Sequence, residues 1–193
     1  MTHLCLAALL IAGALLISAC RSATTPKPRG YYRIELPKEP RYKPLHQKGC
    51  PYAFDISTLA SVTADHDQNA EPCWINVSYS QLNAKLHISY KPLKNNLDKF
   101  VEDVHYLVYK HTVKADAITE QRFESTDQKS YGYLYEIGGN AASNVQFYIT
   151  DSARHFIRGA LYFNTQPNRD SLAPVIAYIT EDIRRMMEST RWQ

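Results

Sequence analysis

The chain has 193 residues, of which 45% are hydrophobic and 21% charged, enough apolar material for one globular domain with its own core. Its formal net charge is +3, but residues 21–48 alone carry +6, from eight basic and two acidic side chains. The remainder is therefore close to −3. A folded part without a basic excess argues against a nucleic-acid-binding protein.

The first predicted element is a lipoprotein signal peptide over residues 1–19. An apolar run begins at Leu4 and ends in Leu16-Ile17-Ser18-Ala19-Cys20, which has the form of a lipobox. The run is short for a transmembrane helix and ends in small residues, and it lacks the polar face of a core helix. We therefore expect cleavage before Cys20 and lipidation of that cysteine.

Residues 20–50 are predicted to form a tether between the membrane and the domain. Six of the ten prolines lie between Pro26 and Pro51. Since proline fixes φ and removes a backbone donor, this basic segment should be extended and should not pair into a sheet. The aromatic run over residues 30–37 is unusual for a spacer and suggests that the tether packs onto the domain there.

The four cysteines divide by compartment. Cys5 leaves with the signal peptide and Cys20 takes the lipid, so Cys50 and Cys73 remain in an oxidising envelope. Two cysteines are too few for a structural zinc site, and the chain has no Cys-x-x-Cys motif. The sequence predicts a structural disulfide between Cys50 and Cys73.

Two amphipathic helices are indicated by apolar residues at helical spacing. The first stripe consists of Leu97, Phe100, Val101, Val104, Leu107 and Val108. The second consists of Leu172, Val175, Ile176, Ile179, Ile183, Met186 and Met187. Asn95 or Asn96 is the expected cap of the first helix, and Asp170 or Ser171 that of the second. A single apolar stripe suits packing on one face of a sheet.

Alternating apolar residues predict the strands. A hairpin is expected from residues 74–79 and 85–90, followed after the first helix by strands at 117–124, 130–137, 145–150 and 156–163, with a possible further strand at 52–56. Short connections require antiparallel pairing. We therefore predict one α+β domain over residues 51–193, a twisted antiparallel sheet of about six strands with two amphipathic helices packed on it. Its element order loosely resembles the PsbP/Mog1-like architecture.

No catalytic signature of a metalloprotease, a serine hydrolase or a phosphate-binding loop is present. His111 and Asp116 form a conceivable proton-transfer pair, but a histidine at a helix C-terminus is explained by the helix dipole. Asp151, Ser152 and His155 lie within five positions and are better explained as a turn with Asx-type backbone bonding. We predict no enzymatic activity, no metal site and no cofactor.

Several segments together resemble the gliding-motility lipoprotein GldD family of Bacteroidetes. They are Ile88-Ser89-Tyr90-Lys91-Pro92 with Asn95-Asn96-Leu97, residues 109–111 and 114–118, the turn 138–143, and most of 146–163. The resemblance covers most of the chain from about Gly30. It implies a cell-envelope lipoprotein needed for gliding and for the associated type IX protein secretion machinery, without known enzymatic activity or cofactor. Residues 21–24 lack the acidic run of surface-exported lipoproteins of this phylum, which predicts an anchor facing the periplasm.

We expect the protein to act through contacts with other gliding and type IX secretion proteins of the envelope, and to bind the membrane through its lipid. The candidate contact residues are polar positions that neither amphipathic pattern requires: Lys91, Asn95, Asn96, Lys110, His111, Lys114, Asp116, Gly138, Gly139, Asn140 and Ser143. The alternative is a lipoprotein that binds a small apolar or glycan ligand in a tyrosine-lined pocket between sheet and helices.

Two serines are candidate modification sites. Ser152 and Ser171 each lie in an Asp-Ser-apolar tripeptide, the pattern of O-glycosylation in Bacteroidetes envelopes. Capping of the last helix explains Ser171 equally well.

Overall fold

The computed structural model describes residues 35–37, 39–110, 115–165 and 168–193. The predicted signal peptide, the lipidation site at Cys20 and about half of the predicted tether lie outside the described residues. The elements in chain order are β1 (Tyr42–His46), β2 (Tyr52–Ser57), β3 (Ser61–Ala64), β4 (Ile75–Tyr79), β5 (Ala84–Pro92), α1 (Leu97–Tyr109), β6 (Ile118–Ser125), β7 (Ser130–Ile137), β8 (Ser143–Thr150), β9 (His155–Phe163), α2 (Arg169–Ser189) and β10 (Arg191–Trp192).

The strands form two open antiparallel sheets. The larger has seven strands in the order β3-β4-β5-β9-β8-β7-β6, and the smaller has three in the order β1-β2-β10. The α+β class and the antiparallel pairing are confirmed. The seven-stranded sheet agrees with the predicted sheet of about six strands, whereas β1, β3 and β10 were not predicted. β3 has four residues and β10 two, so neither is long enough to display an alternating apolar pattern.

The domain begins earlier than residue 51. β1 lies inside the predicted tether and pairs with β2 from Tyr42 opposite Ser57 to His46 opposite Ala53. Pro44 is tolerated because β1 is an edge strand, where one side of the backbone needs no partner. The backbone N–H of Thr58 also donates to the carbonyl of Arg41 at 2.9 Å. The boundary predicted between residues 50 and 51 therefore moves towards the N-terminus of β1.

The two helices pack on opposite faces of the seven-stranded sheet. Val175, Ile179 and Ile183 of α2 join the main core, which also includes the inward side chains of β2, β4, β5 and β8. Val104 and Val108 of α1 join a second core on the other face. Successive side chains of a strand point to opposite faces of the sheet, and Leu134 of β7 accordingly belongs to the main core and Tyr135 to the second core. The sheet is therefore a central layer between two helical layers.

The start of α2 differs from the expectation, whereas α1 begins at one of its two predicted caps. The N-cap of α2 is Asn168, whose side chain accepts the backbone N–H of Ser171, so the helix begins before the predicted caps Asp170 and Ser171. Asn96 is the N-cap of α1, but its side chain accepts the N–H of Lys94 at 2.7 Å and no helical N–H.

Three further features of the main core affect its stability. Cys50 and Cys73, the predicted disulfide partners, are bonded with their Cα atoms 5.5 Å apart. Gly159 of β9 lies opposite Phe147 of β8, and its missing Cβ makes room for the phenyl ring. A Cβ at Gly159 would lie 2.5 Å from Cζ of Phe147, 2.8 Å from Cδ1 and closer still to Cε1. Asp182 of α2 is 2% exposed.

Asp182 of α2 lies among hydroxyl groups that belong to both sheets. Burial raises the pKa of its carboxyl, and the hydroxyls of Tyr42, Ser57 and Tyr79 partly offset that rise. Neither carboxylate oxygen has a hydrogen bond of good geometry. The cluster is enclosed, so a structural role accounts for it.

Candidate functional site

The loop that contains Asp151, Ser152 and His155 is a structural turn. One carboxylate oxygen of Asp151 accepts the backbone N–H groups of Ala153, Arg154 and His155 at 3.0, 2.7 and 2.8 Å. Burial alone would raise the pKa of Asp151, but these hydrogen bonds bring it below its ordinary value. The Asx-type explanation is confirmed, and the carboxylate is occupied by the backbone rather than directed at the histidine ring.

His155 is held in the core by aromatic neighbours. Its Nδ1 lies 2.9 Å from the hydroxyl of Tyr90, and its ring stacks on Trp192 with centroids 5.3 Å apart. Its other ring nitrogen, Nε2, is buried without a hydrogen-bond partner. Burial lowers the pKa of the imidazole, while Asp151 partly opposes this. His155 therefore packs β9 against β10 as a neutral ring.

Among its described residues the structure shows no group of three or more histidine, cysteine, aspartate or glutamate side chains placed to hold a metal ion. The backbone N–H of Asp116 donates to the carbonyl of Gly138 at 3.3 Å. His111, its proposed proton-transfer partner, lies outside the described residues, as does Lys114.

The predicted contact residues separate into two groups at opposite ends of α1. Lys91, Asn95 and Asn96 lie at its N-terminal end, where Lys91 pairs with Glu71 and stands 5.2 Å from the ring centroid of Trp74. Lys110 and Asp116 lie at its C-terminal end, together with the turn 138–140. Thirteen helical residues span about 20 Å, so the two groups do not form one small contact patch.

Two residues of the glycine-containing turn are not available for contact. Ser143 is fully buried, and its hydroxyl donates to the carbonyl of Val145 at 3.3 Å. Gly139 is also buried, with a φ of +81° that explains the glycine. The expectation that Ser143 and Gly139 contact a partner is therefore wrong. Asn140, between them in the chain, is exposed.

The sequence analysis missed the most exposed aromatic residues at this end of α1. Tyr106 is 68% exposed, Tyr109 is 44% exposed, and Leu107, which we assigned to the buried stripe, is 36% exposed. The hydroxyl of Tyr109 donates to a carboxylate oxygen of Glu120 at 2.6 Å. The signal was present in the sequence, because two tyrosines on the polar side of an amphipathic helix are not needed for the core.

We call this region the α1 C-terminal surface and define it by Tyr106, Tyr109, Lys110, Asp116 and Asn140. The bond between Asp116 and Gly138 joins the chain after α1 to the turn. Val108 and Ala141 belong to the same core, so the last turn of α1 lies on the turn that carries Asn140. Large aromatic groups beside both charges and an amide are typical of protein contact sites.

A groove lies on the same face of the sheet, beside the first half of α1. It has a volume of about 360 Å³. Leu97 and Val101 form the helix side, and Tyr131, Tyr133 and Tyr148 form much of the floor. The exposed Ser152 lies at its edge. Such a lining offers aromatic faces with a few hydroxyl groups.

The two candidate glycosylation sites differ in their surroundings. Ser152 is exposed. Its backbone N–H donates to Thr150 Oγ1 at 2.9 Å, and its own hydroxyl takes no part in this bond. Ser171 is part of the α2 cap, since its hydroxyl donates to the carbonyl of Asn168 at 3.1 Å.

Comparison with known proteins shows the family. A family model described as gliding motility lipoprotein GldD matches residues 21–192. The chain belongs to the GldD family. No curated protein matches this GldD-family chain. Among solved structures it is similar to cyanobacterial PsbP (CyanoP) from Synechocystis sp. PCC 6803, with 10% identity and a TM-score of 0.44 over 79% of this chain and 92% of that one.

The family assignment confirms the resemblance found in the sequence. As a member of the GldD family, the chain is a gliding motility lipoprotein, and so a membrane-anchored protein of the cell envelope. In the part of the chain that the structure describes, no helix is long and apolar enough to cross a membrane.

Proposed function

We propose that this GldD-family lipoprotein faces the periplasm and supports gliding motility and the type IX protein secretion machinery through contacts with other envelope proteins. Acylation of Cys20 restricts the domain to a membrane surface, which raises its effective concentration near partners in the same membrane. The family match begins at residue 21, directly after this cysteine, which supports the anchor position.

The observation that carries the proposal is the α1 C-terminal surface. Among the described residues, four large hydrophobic side chains are notably exposed, and three of them, Tyr106, Leu107 and Tyr109, lie within four positions of α1. Exposed tyrosines clustered in this way are expected where a partner covers them, since tyrosine is enriched among residues that dominate binding energy.

A protein partner fits this surface better than a lipid surface. The outer side of α1 is acidic on balance, because Asp98, Glu102 and Asp103 are exposed and Lys99 is the one exposed basic residue among the described helical positions. Anionic head groups would repel these carboxylates, whereas a protein can place basic groups opposite them. The basic side chains suited to a lipid surface are instead concentrated in residues 21–48.

The experiment is crosslinking in cells followed by mass spectrometry of the proteins that co-purify. Tyr106→Ala and Tyr109→Ala should reduce recovery of the partners by about tenfold together, as expected for aromatic anchors. Tyr162→Ala is the matched control, because Tyr162 is a 36% exposed tyrosine of β9 that contacts His87 instead. Unchanged recovery with the α1 variants at normal protein levels would refute the proposed surface.

The tyrosine-lined groove favours a second candidate function, binding of a small apolar or glycan ligand. Its volume of about 360 Å³ lies in the range of small-molecule sites. Val101→Trp would fill the groove from the helix side. Binding of the apolar probe ANS to the native chain, abolished in this variant, would support the candidate, and equal binding by both would exclude the groove as the site.

A further inference from the structure

The outer edge of β6 is a long strand edge that the described elements leave uncovered. β6 has eight residues and is the last strand of the seven-stranded sheet, whereas β3, at the opposite edge, has four. Most of β6 is exposed. A strand edge of this length presents unpaired backbone N–H and C=O groups, which favour pairing with another strand.

The hydrogen bonds between β6 and β7 identify which residues of β6 direct their backbone N–H and C=O groups towards the open edge. The N–H of Gly138 donates to the carbonyl of Ala117 at 2.8 Å, in the register that continues as Ile118 opposite Ile137. Since bonded and non-bonded positions alternate in an antiparallel ladder, residues 119, 121 and 123 bond to β7. The backbone groups of Glu120, Arg122 and Glu124 therefore point outwards.

The side chains of these three residues alternate in charge on one face of the strand. Charges of one sign would prevent two such edges from pairing, because like charges directly opposite are destabilising. A strand edge with the order acid, base, acid instead favours those registers of pairing that place unlike charges opposite each other. An antiparallel copy centred on Arg122 would oppose arginine to arginine and Glu120 to Glu124. A copy centred on Gln121 places Glu120 opposite Arg122 of the second copy, twice by symmetry.

We propose that two copies of this chain associate through β6, antiparallel and centred on Gln121. This register overlaps seven residues of each strand, from Ile118 to Glu124. Centring on Phe123 would also oppose unlike charges, but it overlaps only five strand residues. The resulting contact is isologous and joins the two seven-stranded sheets into one.

The surroundings of β6 fit this arrangement. Arg184 of α2 bonds Gln121 at 3.1 Å and Glu136 at 2.6 Å, which holds the edge in place. Glu120 accepts the hydroxyl of Tyr109 and, as a carboxylate, has acceptor positions left for an arginine. On the α2 face of the joined sheet, Phe123 of one copy would lie opposite Thr119 of the other. Thr119 lines a cavity of about 260 Å³ together with Ala173 and Ala177 of α2.

A cysteine at the centre of symmetry tests the register in the full-length lipidated protein. Gln121 is exposed and would form a non-hydrogen-bonded pair with itself, with Cα atoms about 4.5 Å apart, a separation that suits a disulfide. Gln121→Cys should therefore give a covalent dimer in the oxidising envelope. Glu124→Cys is the control on the same edge, since its two copies would be about 20 Å apart.

Charge reversal tests the specificity of the contact. In the Gln121→Cys background, Arg122→Glu should lower the dimer yield about tenfold, because both acid-base pairs become acid-acid pairs. Adding Glu120→Arg to the same chain restores complementarity and should restore the yield. Absence of the Gln121→Cys dimer, an equal dimer from Glu124→Cys, crosslinking of Gln121→Cys to a different protein, or failure of the double reversal to restore the yield would each overturn the proposal.

Discussion

Replacement of Gly159 by alanine should destabilise the domain through one side chain, Phe147. The added Cβ would lie 2.5 Å from Cζ of the ring, about 1 Å inside an ordinary contact, so the ring must move within a close-packed core. Overpacking of this kind costs about 1–3 kcal/mol. Alanine otherwise gains about 0.5–1 kcal/mol over glycine inside a strand, so we expect a net loss near 1–2 kcal/mol in the free energy of unfolding.

A double-mutant cycle isolates the cause. Phe147→Leu removes the ring atoms nearest to Gly159, at a cost of its own for the cavity left behind. In that background the two closest ring atoms, Cε1 and Cζ, are absent and the branched side chain can turn its Cδ atoms away, so Gly159→Ala should be close to neutral. Urea unfolding of the four proteins gives the coupling energy, expected near 2 kcal/mol. Equal costs of Gly159→Ala in both backgrounds would refute the reasoning.

Three further outcomes are expected. Replacing both Cys50 and Cys73 by serine should lower the free energy of unfolding by about 3 kcal/mol, measured by urea unfolding without reductant, since the two lie 23 positions apart. Burial raises the folded pKa of Asp182, so its cost to stability begins near the unfolded pKa of about 4 and grows as pH rises. Asp182→Asn should therefore raise the melting temperature at pH 7 and leave it unchanged at pH 3. Burial lowers the folded pKa of His155, so stability should fall as pH drops below the unfolded pKa of about 6.5, and His155→Gln should flatten this fall in unfolding experiments between pH 7 and 5.

Local periodicity predicted most of the elements but not their arrangement. The stripe ending in Val104 and Val108 located α1, and the alternation of Ile75 and Val77 located β4. That β6 is the edge of the sheet depends on the order in which distant strands pair, which no local pattern records. β1 was not predicted because proline cannot donate a backbone hydrogen bond to a neighbouring strand. An edge strand tolerates proline, since one side of its backbone needs no partner.

The candidate site was predicted only in part, because the burial of each residue also depends on how distant strands and helices pack. Gly138 and Asn140 were selected as polar residues that the core does not need, and Asn140 is indeed exposed. Ser143 satisfies the same criterion in the sequence, yet the sheet buries it. Tyr106 was not selected because the criterion was polarity, although its place outside the apolar stripe of α1 already indicated an exposed side chain.

The small sheet determines how mechanical load would enter the domain. Its central strand β2 is flanked by β1, which follows the N-terminal segment, and by β10, which ends the chain. The last residue also bonds this region, since Gln193 N–H donates to the carbonyl of Pro51 at 3.0 Å. A pull from the membrane would therefore strain β1 against β2 first. The seven-stranded sheet, on which the α1 C-terminal surface lies, would receive that load only through the five residue pairs between β1 and β2 and the contacts beyond them.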